Sequence, residues 1–229
     1  MQRGWSEKMR FRLSRDKQRT LRAVCIFAAG LFLAYFLTKF INIGYGPYTP
    51  DIFLDHHIPF LPIFILIYFG SYVYWLSGVL LVGSHGKKPL YELLTTAYVC
   101  FGVCFLFFVL LPTTIVRPEI TESGVWNTLV RVLYRMDTPQ NLFPSMHCLN
   151  SWLIFVAIRG KKEYAKWQQI FCCVFSFMVF ASTVFLRQHF LVDIAGGVLL
   201  AELGTMTVRK FGLDVRFGYA LDKTIMRGL

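Results

Sequence analysis

Charge is what this sequence has least of. Only 16% of its 229 residues are Asp, Glu, Lys or Arg, against about 25% in ordinary soluble domains. Acidic residues are the scarcer sign, 13 against 24 Lys and Arg. Disorder requires low hydrophobicity, and a hydrophobic content of 55% excludes it. The same excess argues against a soluble enzyme. Polar linkers, internal repeats and low-complexity tracts are missing, which leaves one domain. A disulfide framework is missing too: Cys25, Cys100, Cys104, Cys148, Cys172 and Cys173 all lie in or beside apolar runs, not in the loops where such frameworks sit. No His, Cys and acidic residues fall at zinc-ligand spacing, so neither a metal nor another cofactor is expected.

What is present is a series of long apolar blocks. They cover Ala23 to Leu37 (Leu21 to Ile43 with flanks), Ile58 to Val82, Leu93 to Val116, Met146 to Ile158, Trp167 to Leu186 and Phe190 to Val208. A membrane-spanning helix takes about 20 apolar residues. The fourth block is short, and adding Leu142 to Ser145 brings it close. Helix is the form expected, because open strands leave backbone groups unsatisfied in lipid. The expectation is an all-α polytopic membrane protein with six transmembrane helices. A basic N-tail (1–22) and a basic C-tail (209–229) flank a membrane domain (23–208). The first block follows a mostly polar stretch and is not a cleavable signal.

The basic excess then reads as orientation. All Lys and Arg except Lys39, Arg117, Arg131, Arg135 and Arg187 fall in the two tails and in the segments 84–90 and 159–166. By the positive-inside rule these lie in the cytoplasm, with both termini. Nucleic-acid binding is the weaker reading of a basic chain this apolar.

Three polar clusters collect at the opposite, outer ends of the helices. They are Arg117-Pro118, the run from Asp137 to His147, and the run from Arg187 to Asp193. His189 and Asp193 are four apart, which puts both on one helix face. The carboxylate can then hold the Nδ1 proton and leave Nε2 free. Pro144-Ser145 resembles a helix start, with Ser145 as cap and free N–H groups after it suited to an anion. His147 in that turn can give a proton to a leaving oxygen. Arg117 presents a fork of donors matched to phosphate. Each residue alone also fits an interfacial anchor. Together they are the set that phosphoryl transfer through histidine requires. Asp55, His56 and His57 read as interfacial residues, with a lid or metal contact as the other option.

These segments resemble the type 2 phosphatidic acid phosphatase superfamily, whose motifs are K-x6-RP, PSGH and SR-x5-H-x3-D. Here they stand as Arg117-Pro118, as Pro144-Ser145-Met146-His147, and as Ser182-Thr183 followed by His189 and Asp193. DTPQNLFPSMH and QHFLVDIAGG are most similar to the branch with inositol-phosphorylceramide synthases. The resemblance implies that His189 is a phosphate-accepting nucleophile backed by Asp193, with His147 as acid and base. It implies that Arg117, Ser145 and the Met146 N–H hold the phosphate. The partners implied are a lipid phosphate substrate and membrane lipids. The family's lysine falls at Leu110, its third-motif arginine at Thr183 and its PSGH glycine at Met146. Arg187, Arg131 and Arg135, and more weakly Lys39, are candidate substitutes for the missing charge. Two other classes fit a six-helix chain with these charges: a lipid or anion transporter, and a silent lipid-binding relative. The segment from Gly124 to Met136 reads as an amphipathic lid helix.

Overall fold

The computed structural model describes residues 2–41 and 47–225, with side chains from residue 15 onward apart from residue 39. Lys39 and the basic side chains of the first 14 residues therefore lie outside the described residues. The chain forms α1 (Gln2–Phe36), α2 (Ile65–Ser84), α3 (Lys87–Leu110), α4 (Val125–Met136), α5 (Met146–Ile158), α6 (Lys166–Phe185), α7 (Leu191–Phe211) and α8 (Leu213–Lys223). The helix ends follow local chemistry. Pro112 stops α3, because a residue before proline avoids the helical region. Gly212, at φ 58°, ends α7 in the left-handed conformation that glycine enters without strain.

Among the described residues, five segments are long and apolar enough to cross a membrane: Arg15–Phe36, Pro62–Ser84, Lys87–Leu110, Lys166–Phe185 and Leu191–Phe211. The expected fourth crossing differs. Its helix, α5, has 13 residues and is about 20 Å long at 1.5 Å per residue. Residues 142–145 do not extend it: Asn141 sits at φ 61° and Ser145 is extended at φ −64°, ψ 115°. Most of α5 is buried, packed among α7, α6, α2 and α3. It is the axis of the bundle.

Small residues let that axis be approached closely. A Cβ on Gly197 of α7 would stand 2.6 Å from the Ser145 carbonyl oxygen, and one on Gly78 of α2 would stand 2.6 Å from Ile154. At one pole the non-helical segments tie to each other. Thr114 N–H donates to Tyr48 O (2.9 Å), Leu61 N–H to Phe185 O (3.1 Å) and Asn141 N–H to Thr113 O (3.1 Å). At the other pole the charges pair: Arg209 with Glu92 (2.7 Å), Arg159 with Glu202 (2.7 Å) and Lys87 with Asp222 (3.1 Å). Within the basic C-tail, α8 packs on α3.

Candidate active site

The first, segment-tied pole holds a cavity of about 690 Å³ between α1, α2, α4 and the starts of α5 and α7. Three local structures bring the polar residues to it.

The α7 start supplies His189 and Asp193. His189 lies two residues before the helix rather than on it, with Phe190 as the N-cap. The four-residue spacing still works, across the helix end. Asp193, fully buried, accepts the Phe190 N–H at 2.8 Å and meets His189 Nδ1 at 3.3 Å through the same oxygen, Oδ2. The other carboxylate oxygen is buried without a partner. The carboxylate thus caps α7 and fixes the imidazole, leaving Nε2 as the free ring nitrogen.

The α5 start supplies His147. Its ring stacks on Tyr68 at 4.2 Å and touches Trp75 at 5.1 Å, and its Nε2 lies 3.3 Å from the Tyr72 hydroxyl. The rings of His147 and His189 are 6.1 Å apart. Met146 is helical, so its replacement of a glycine needs no left-handed backbone. It lines the cavity, and its N–H is among the first of the helix, which have no intrahelical acceptor.

Arg117 comes from the segment after α3. Its guanidinium donates to Asp137 O (2.5 Å) and Gln188 Oε1 (2.7 Å) and covers the Tyr134 ring at 4.6 Å. Its Nε is buried without a partner. Burial pushes the Tyr134 hydroxyl up to about 12, against the pull of Arg117 and Arg187, so it stays a donor, to Leu186 O at 2.9 Å.

His147, His189, Arg117 and Met146 therefore share one cavity, with Asp193 behind His189. The other candidates sit elsewhere. Ser145 is fully buried and its Oγ accepts the Cys148 N–H at 3.3 Å, a helix cap outside the cavity lining. Arg187 donates to the carbonyls of Asp55 (2.9 Å) and Ile58 (2.6 Å). Arg131 donates to Glu122 O (2.9 Å), and Arg135 is exposed. None of these three lines the cavity. Of the three departures from the family motifs, Met146 lines the cavity and the other two face away from it: Leu110 is exposed and Thr183 is buried against α5.

Some site residues were not legible in the motifs. Tyr68, Tyr72 and Trp75 wall His147, and Gln188 holds Arg117. Asp137 enters the cavity and accepts a hydrogen bond from the Tyr35 hydroxyl of α1. Asp55 is buried, and its Oδ1 accepts the Leu191 N–H at 2.9 Å, at the first turn of α7. Its neighbours stay outside: His56 pairs with Asp51 at 2.9 Å and His57 Nδ1 lies 3.1 Å from Phe53 O.

A family model described as the PAP2 superfamily matches residues 23–215, most of the chain. No curated protein and no solved structure gives a significant match.

Proposed function

The chain belongs to the PAP2 superfamily, and from that premise we propose an integral-membrane phosphatase or phosphotransferase of lipid phosphates that works through a phosphohistidine. Membership supports phosphoester chemistry in general. The observation that carries the finer reading is the His189–Asp193 pair, placed beside His147 and Arg117 in a single cavity.

In this reading Arg117 holds the phosphate through the guanidinium N–H groups that Asp137 O and Gln188 leave free. The Nε2 lone pair of His189 attacks phosphorus. The bond from phosphorus to the lipid oxygen breaks, and His147 gives its proton to that oxygen, so a neutral alcohol leaves. Asp193 stabilises the positive imidazole formed. His147, now neutral, takes a proton from water or a second alcohol as its oxygen attacks phosphorus. The P–N bond breaks, its electron pair returns to His189, and His147 is protonated again. The sequence likeness of 137–147 and 188–197 to the inositol-phosphorylceramide synthase-like branch favours an alcohol as acceptor. We further propose that α5, with its flanking segments, completes a sixth crossing. Both termini then face the cytoplasm and the cavity faces the opposite side, in line with the positive-inside rule.

The test is turnover of a panel of lipid phosphates by purified protein in detergent or vesicles, beside His189→Ala. The expected result is activity in wild type alone, with labelled phosphate trapped on wild type and not on the variant. A folded His189→Ala protein with full activity overturns the reading. Saturable lipid binding without turnover identifies a silent relative.

A further inference from the structure

The cavity carries two opposite charges that do not neutralise each other. Arg117 contacts the backbone carbonyl of Asp137, and its guanidinium forms no ion pair with the Asp137 carboxylate. Among the described residues that carboxylate has no cationic partner at all. Among those residues its side-chain contact is the neutral Tyr35 hydroxyl on Oδ1, and none of them donates to Oδ2. Tyr35, Phe36, Phe69 and Tyr72 line the same cavity.

A carboxylate in a mostly apolar cavity is unfavourable without a positive partner. It also repels the phosphate anion that Arg117 and the histidines would hold. One ligand chemistry answers both problems: a phosphate with an ammonium group a few bonds away. The phosphate meets Arg117 and His189, while the ammonium meets Oδ2 of Asp137. The motif run puts Asp137 ten residues before His147, so the backbone that carries the acid also leads into the helix that carries the proton donor.

Resting on the phosphoryl-transfer reading above, we propose that Asp137, supported by Tyr35, forms an ammonium subsite that makes the protein select zwitterionic lipid phosphates. The ammonium can come from a head group, as in phosphatidylethanolamine, or from a sphingoid base, as in sphingosine 1-phosphate. Asp137 is here a specificity residue, not a group that moves the reaction's protons.

Matched lipids test this. Sphingosine 1-phosphate is compared with ceramide 1-phosphate, whose amine is acylated and uncharged. Phosphatidylethanolamine is compared with phosphatidylglycerol, which offers hydroxyls in place of the ammonium. Wild type, Asp137→Asn, His189→Ala and Lys39→Met are assayed in the same detergent micelles, and kcat/KM is read for each lipid. A charged hydrogen bond of ordinary strength corresponds to a preference of roughly 10- to 100-fold for the ammonium member of at least one pair. Which pair shows it identifies the source of the amine. In Asp137→Asn that ratio should fall toward one, and in Lys39→Met it should persist.

His189-dependent turnover with no ammonium preference in either pair overturns the subsite and leaves the phosphoryl-transfer reading standing. So does a preference that survives Asp137→Asn, or one for phosphatidylglycerol. Loss of the ratio in Lys39→Met would show that the preference depends on Lys39 and not on Asp137 alone, which also overturns it. Absence of any His189-dependent turnover overturns both readings at once.

Discussion

One oxygen of Asp193 has two duties: it accepts the N–H of Phe190, the N-cap of α7, and it faces His189 Nδ1. An amide cannot serve both donors in the same way. In Asp193→Asn the side-chain oxygen can keep the Phe190 N–H, while the imidazole loses the acceptor that sets its tautomer and its counter-charge. The expected outcome is a kcat loss of about 10²- to 10⁴-fold with KM changed far less, the size seen when a histidine loses its orienting carboxylate in a hydrolase triad. Steady-state kinetics on the folded variant check this, and a loss confined to KM would sink the assigned role. The His189–Asp193 pair was legible because residues four apart meet at a helix start as they do within a helix, although His189 lies before α7 and not on it. Gln188, Tyr68, Tyr72 and Trp75 were not, because their roles depend on which helices become neighbours. Arginine was the least legible type. Arg187 has the composition of a phosphate ligand and instead closes its fork on the carbonyls of Asp55 and Ile58, from a backbone held at φ 49°.

At the scale of elements, the contact of α5 with α7 sets the spacing of the two histidines. The Gly197 position is where α7 meets the N-terminal turn of α5, and a side chain there strikes the Ser145 carbonyl, a backbone atom that cannot rotate away. Gly197→Val should therefore cost about 1–3 kcal/mol, the usual penalty for overpacking, and should reduce turnover by separating His147 from His189. Thermal unfolding and kcat measure the two effects. Gly102→Ala is the control, since nothing lies within 4 Å of the added atom and alanine favours helix. Equal behaviour of the two variants would contradict the role given to the contact. The apolar blocks made the long helices legible, and the segment 124–136 reads as helix in the sequence and forms α4. The length of α5 was overestimated because hydropathy continues through Leu142 and Phe143 while the backbone does not. In the sequence α8 reads only as part of a basic tail. Its docking depends on Gly218 admitting the Tyr91 ring of α3, a fit no composition reveals.

For the whole molecule, the two poles differ in how charge is handled. One pairs its Lys and Arg with Glu92, Glu202 and Asp222, and the other keeps Arg117 for the cavity. The proposed topology predicts sidedness directly. In a cysteine-free background, an impermeant maleimide should label Glu122→Cys in intact cells and label Lys162→Cys only after lysis. Both positions are exposed in the fold. The reverse pattern would invert the orientation and move the cavity to the cytoplasmic side. The charge asymmetry was legible from sequence because it is additive along the chain, and the cavity was not, because it exists only between helices. The rim of that cavity has a kinetic consequence. Phe32, Phe36, Leu76 and Met136 line it and are themselves exposed, so its mouth is as oily as the bilayer around it. A lipid that enters by such a mouth arrives by diffusion in two dimensions. The quantity that saturates the enzyme is then the mole fraction of substrate among its neighbours in the membrane. Diluting the substrate with inert lipid slows the reaction, while diluting the vesicles with buffer leaves the rate per enzyme unchanged.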